Sequence, residues 1–237
     1  MENISRRPQT LRRSFIPFLL LIVLTLASVA ASWISSRSPG SPGSHVGPEG
    51  VVMFNEPELA AASSTATGKI VDGITCQTQA KEVVKYHIHV YIAVYVDGHP
   101  RTLPAGIGIT RPPLVEKSSA GTFLDAGLYD CLYWLHTHVA DGIVHVEAPL
   151  KQGFTLGQFF DIWNQPLNAG QVGPAKGKVV VFENGKKLRG DPRSTPLLAH
   201  AVIQIDVGSP VVAFHPFIYK VTGACGQGTN SCSVPTS

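Results

Sequence analysis

The chain has 237 residues, with 19 Lys and Arg against 16 Asp and Glu, a formal charge of +3, and 44% hydrophobic residues. That length suits one ordinary domain with a real core plus accessory segments. Arg6, Arg7, Arg12 and Arg13 account for the positive surplus, so the remainder is near neutral and lacks the basic footprint of a nucleic-acid binder.

The four arginines precede an uncharged apolar run over 15–34. It exceeds the ~7–15 residues of a signal-peptide apolar region and matches the ~20 needed to cross a bilayer. The positive-inside rule keeps 1–14 in the cytoplasm as a basic tail and exports everything downstream. The expectation is a single-pass signal-anchor in the cell membrane. Small residues around Ser28, Val29 and Ala30 leave open a cleaved signal peptide and a secreted product. Residues 35–68, rich in Ser, Pro, Gly and Ala, read as a flexible linker that cannot bury enough apolar surface to fold. Residues 69–223 then form a single extracytoplasmic β-rich domain, and 224–237 a cysteine-containing tail.

Strand-like runs occupy 85–96, 131–138, 143–148, 178–183, 201–207 and 211–221. Three turns place glycine second: Asp97-Gly98, Asp141-Gly142 and Asn184-Gly185. The glycines of Pro104 to Ile109 lack the strand-to-helix setting of a phosphate loop and read as a turn or bulged strand. One helix is signalled by a Thr155–Gln158 capping box and a Phe154–Phe159 staple, with Leu156, Phe159, Phe160 and Trp163 on one stripe and Pro166 as the stop. The fold class is α+β and mostly antiparallel β: a hairpin-built sheet with one short amphipathic helix packed on its apolar face.

Four cysteines in an exported chain favour two disulfides, Cys76 with Cys131 and Cys225 with Cys232, out of three possible connectivities. Cys131 has the opposite strand parity to His136 and His138, which turns it away from them.

Five of the nine histidines fall in two short stretches, His87-Ile88-His89 and His136-Thr137-His138 with His145 following. Residues two apart on a strand share a face, so each pair forms one patch. A two-residue turn at Asp141-Gly142 would set His138 opposite His145 and His136 opposite Glu147. A four-residue loop over 139–142 would set His136 opposite His145. Either register keeps His136, His138, His145 and Glu147 on one face, with Leu135, Thr137, Val139, Val144 and Val146 on the other. His87 and His89 join them only if their strand is a neighbour. Imidazole with carboxylate suits a divalent transition metal, zinc or copper first. The only methionines, Met1 and Met53, lie outside the folded part. His99 and His200 are weaker candidates, whereas His215, before Pro216, reads as a strand-edge residue and His45 lies in the linker.

The strings YHIHVYIAVYVDG, LPAGIGI, CLYWLHTHVADGIVHVEAP and FTLGQFFDIW resemble an uncharacterised group of exported or membrane-anchored prokaryotic proteins, over residues 86 to about 207. The resemblance implies export and no particular reaction. Val139 stands where that pattern leads us to expect an acidic residue.

Three functions follow. The first is a membrane-tethered, extracytoplasmic metal-binding protein using its histidine face. The second is a metalloenzyme, a hydrolase or mononuclear redox site with an open metal position, although no catalytic motif such as HExxH is present. The third is an interaction domain for a protein or glycan, without metal.

Overall fold

Period-2 alternation from Ile88 to Val96 produces the central strand of the molecule, because it lets every second side chain enter an apolar core. The computed structural model describes residues 56–62, 68–110 and 130–219, together with the backbone of Ser44–Val46, Val52–Phe54, Val115–Ser118 and Gly121–Leu124. All belong to the second of two units, 44–237. The basic tail, the apolar run 15–34 and the Cys225–Cys232 pairing lie outside the described residues. Among the described residues, no helix is long and apolar enough to cross a membrane.

The principal elements are β1 (Cys76–Gln77), β2 (Tyr86–Val96), β3 (His99–Arg101), β4 (Ile109–Thr110), β5 (Cys131–Tyr133), β6 (Leu135–His136), β7 (Ile143–Ala148), α1 (Leu156–Ile162), β8 (Val179–Glu183), β9 (Lys186–Lys187) and β10 (Val202–Val207). A seven-stranded sheet runs β6-β7-β2-β10-β8-β9, with β3 on β2. All its pairs are antiparallel except β10 with β2, which are parallel. A smaller sheet runs β1-β5-β4. The expected α+β class, mostly antiparallel with a single short helix, is the class observed.

One face of the large sheet carries Val90, Ile92, Val94, Val144, Val146, Ile203 and Ile205, all buried. The helix covers this face with Leu156, Phe159, Phe160 and Trp163. Its capping box forms as predicted: Thr155 Oγ1 accepts from Gln158 N at 3.4 Å, and Gln158 Oε1 accepts from Thr155 N at 3.0 Å. The helix stops before Pro166, with Asn164 in the left-handed conformation at φ 56°.

Two of the three glycine turns are tight hairpins with both central residues at positive φ: Asp97 and Gly98 at 50° and 76°, Asn184 and Gly185 at 49° and 83°. The third is not. Only Gly142 is left-handed there, at φ 85°, and Asp141 Oδ1 instead accepts from Ile143 N at 2.9 Å. The register is therefore His136 opposite His145, the four-residue-loop alternative, and the two-residue turn is corrected.

Three further expectations are revised. The run 131–138 is broken at Trp134, because its two halves have different partners: β5 joins β1 and β4, while β6 joins β7. The run 211–221 is not a strand over its described residues, 211–219. Pro210 and Pro216 lack the N–H a ladder needs, and side chains of β10 take the contacts instead. Gln204 Oε1 accepts from His215 N at 2.8 Å, and Asp206 Oδ1 from Val212 N at 3.0 Å. Within 35–68, Ser44–Val46 pairs with Val52–Phe54, and Leu59 is buried with its N–H on the Thr102 carbonyl, so packing begins upstream of residue 69.

Cys76 and Cys131 form a disulfide, with Cα atoms 5.5 Å apart and 55 residues of separation. Chain-entropy reasoning gives a loop of that size about 4 kcal/mol of stabilisation. Cys131 thus leaves the histidine face through its bond to Cys76.

Candidate metal centre

Strand order decides which histidines meet. The strand β7 sits between β6 and β2, so His145 faces His136 on one side and His89 on the other, and Glu147 faces His87. All six predicted residues, His87, His89, His136, His138, His145 and Glu147, converge on one end of the sheet.

Four donor atoms form a closed circuit. His87 Nε2 lies 3.1 Å from His89 Nε2, which lies 3.2 Å from His145 Nδ1. Glu147 Oε1 closes it, 3.4 Å from His145 Nδ1 and 3.1 Å from His87 Nε2. Protons can pair these four atoms, for instance His87 Nε2–H with Glu147 and His89 Nε2–H with His145 Nδ1, but they leave the other two close contacts as donor against donor and lone pair against lone pair. A ring nitrogen carrying hydrogen cannot accept, the carboxylate oxygen only accepts, and each N–H points one way. No assignment makes more than two of the four contacts hydrogen bonds. A cation among the four atoms uses a lone pair from each. The four adjacent spacings match the about 3.3 Å between neighbouring ligands of a tetrahedral zinc with bonds of about 2.05 Å, and His87, His89 and His145 offer ligand atoms mutually within 4.8 Å.

The pair His136 and His138 adds a second cluster. Their Nε2 atoms are 3.1 Å apart, and the His136 ring stacks on that of His145 at a centroid distance of 5.3 Å. His136 is fully buried, and its Nδ1–H donates to the Tyr133 carbonyl at 2.8 Å. A carbonyl only accepts, so the tautomer is set and the Nε2 lone pair points at the cluster. This is the outer support that metal-binding histidines generally have.

The loop before β4 holds that strand in place. Thr137 Oγ1 donates to the Pro104 carbonyl at 2.8 Å and accepts from Ile107 N at 3.0 Å, while Thr137 N donates to the Ile107 carbonyl. Gly108 presses close to the backbone of Leu135 and His136. Sequence reasoning took the glycines of 104–109 for a turn and missed that this turn clasps the histidine strand. The buried parity of Thr137 was the available signal. Gly142 similarly fits against the Ile92 carbonyl and the Tyr91 ring.

The weaker candidates stay apart. His99 is exposed next to its turn, His215 stacks on Tyr95, and His200 donates its backbone N–H to the His89 carbonyl. For His45 only the backbone strand is described. Val139 is buried.

Burial pushes the His136 imidazole down from 6.5 to about 4, against the pull of Glu147. Burial works against ionisation of Glu147 too, but its hydrogen bond to His145 and the imidazole charges around it hold the carboxyl below its usual range. Both groups bind protons more readily in the unfolded chain, so stability drops as the pH is lowered. The His136 contribution is complete above about 6.5 and is lost as pH approaches about 4, and the Glu147 contribution goes at lower pH. The metal-free chain, kept in chelator, is expected to lose about 3 kcal/mol through His136 between pH 7 and 4. Denaturant midpoints measured across that range would show it, and a flat profile would contradict a buried neutral His136.

The fold and site together define a β-rich, disulfide-linked domain with histidine and carboxylate groups arranged so that they can hold a metal ion. No protein-family model, curated protein or solved structure matches the chain.

Proposed function

We propose that this chain is a membrane-tethered, extracytoplasmic metal-binding protein that holds zinc or copper on its histidine-rich sheet face. The observation that carries the reading is the four-atom circuit of His87, His89, His145 and Glu147, in which protons make at most two of the four close contacts hydrogen bonds while a cation draws on a lone pair from every atom. Neutral imidazole with one carboxylate suits either ion.

Binding is favoured over catalysis by where the circuit sits. Its side chains range from the 36% exposed His87 to the buried His145, on a sheet end. The cavity of about 360 Å³ lined by Lys178, Val180, Lys187 and Pro192 shares no residue with it. Export is supported by the apolar run 15–34 behind its arginines, and by the Cys76–Cys131 disulfide, which persists in oxidising compartments.

The test is elemental analysis of the full chain, purified without chelators or a polyhistidine tag, alongside melting with added Zn(II) or Cu(II). Bound zinc or copper and a raised melting temperature are expected. No bound metal and an unchanged melt would overturn the reading.

A further inference from the structure

Five imidazoles and a carboxylate are more donors than one zinc or copper ion takes. Their distances divide them. His87 and His89 form an outer pair and His136 and His138 an inner pair, each 3.1 Å apart at Nε2. The ligand atoms of His136, His138, His145 and Glu147 lie within 4.8 Å of one another, as do those of His87, His89 and His145. His145 belongs to both sets. The backbone reinforces the division, because the strands bearing the two pairs flank β7 on opposite sides. Strands two positions apart in a sheet are about 9.6 Å apart.

We propose that the face is a two-ion centre: one divalent transition metal on the His87–His89 pair and one on the His136–His138 pair, with His145 and Glu147 between them. This rests on the metal-binding reading above and goes beyond it, since a single ion would leave one histidine pair unused. His145 can serve both ions only as a bridging imidazolate, one ring nitrogen to each, with its remaining N–H proton released to solvent. Its Nδ1 faces His89 and Glu147, while its ring stacks on His136 and meets His138 edge-on at 4.6 Å. The inner position is the more enclosed, with His136 fully buried, and the outer one is reached past the exposed His87.

The full chain, stripped of metal, is dialysed to equilibrium against Zn(II) and the zinc per chain counted. Two equivalents are expected for the wild type, one for His87→Ala/His89→Ala, and one for His138→Ala, which leaves the buried His136 in place to protect the fold. A wild type holding a single zinc, lost in both variants, would overturn the two-ion centre while leaving the metal-binding reading intact. A wild type holding none would overturn both. Copper gives a readout on the wild type alone. The second equivalent of Cu(II) should depress the paramagnetic resonance signal of the first, because shared donors hold the ions close enough to couple. Two additive, undiminished signals would overturn the shared centre.

Discussion

His145→Ala should remove most of the thermal stabilisation that Zn(II) or Cu(II) gives the wild-type chain. A ligand present at 1,000 times its dissociation constant stabilises the folded state by about 4 kcal/mol. For a domain of this size, each kcal/mol moves the melting temperature by about 2–4 °C. The wild type should therefore gain about 8–16 °C on metal addition and lose it to chelator. His145 is the residue both clusters need: its Nδ1 stands 3.2 Å from His89 Nε2 and 3.4 Å from Glu147 Oε1, and its ring lies on His136. The variant should gain less than about 4 °C. The difference between loaded and chelated states is the quantity to compare, because removing a side chain only 8% exposed also costs packing in both. A variant that kept the full metal-dependent gain would exclude His145 as a ligand.

The second large effect is expected at a residue that supplies no donor atom itself. Gly108 sits at φ 73°, and a Cβ there would fall 2.4 Å from the Leu135 carbonyl oxygen and 3.2 Å from His136 Cβ. Gly108→Ala meets left-handed backbone strain of about 1–2 kcal/mol and a clash with main-chain atoms that side-chain rotation cannot relieve, about 1–3 kcal/mol more. The loop must lift away from the strand, loosening the Thr137 contacts that seat His136. A loss of about 3 kcal/mol is expected, with weakened metal binding. Gly73 provides the control. It shares the conformation, at φ 78°, but a Cβ there meets nothing within 4 Å. Gly73→Ala should cost only about 1 kcal/mol and leave metal binding unchanged. Equal losses in the two variants would show that strain alone, and not the clasp, accounts for Gly108.

Much of the local structure was legible from short-range chemistry. The capping box and aromatic stripe of α1 needed only the spacing of Thr155, Gln158 and the four apolar residues. The turns at Asp97-Gly98 and Asn184-Gly185 needed only residues that tolerate positive φ. Where the reading failed, a longer-range partner had won. Asp141-Gly142 carries the same dipeptide signal, yet Asp141 caps Ile143 N and Gly142 offers its carbonyl to Ile92 N. Residues 211–219 alternate like a strand, but prolines and the side chains of Gln204 and Asp206 draw them over the sheet as an extended cover, with Phe217 stacked on Tyr91 at 3.9 Å.

Which side chains share a face could be read from residue spacing alone. Strand parity puts His136, His138, His145 and Glu147 on one side and Leu135, Val144 and Val146 on the other for a two- or a four-residue turn, because the pleat repeats every two residues. The sequence also supplied the donor types, imidazole and carboxylate, and with them the class of ion they suit. It took the assembled sheet to bring His87 and His89 beside His145 and Glu147. Nothing local to residues 86–96 says that this strand lies beside 143–148, since that pairing depends on how the whole apolar face is buried. The same assembly set the register that stacks His136 on His145, and brought a distant glycine turn down to hold it there.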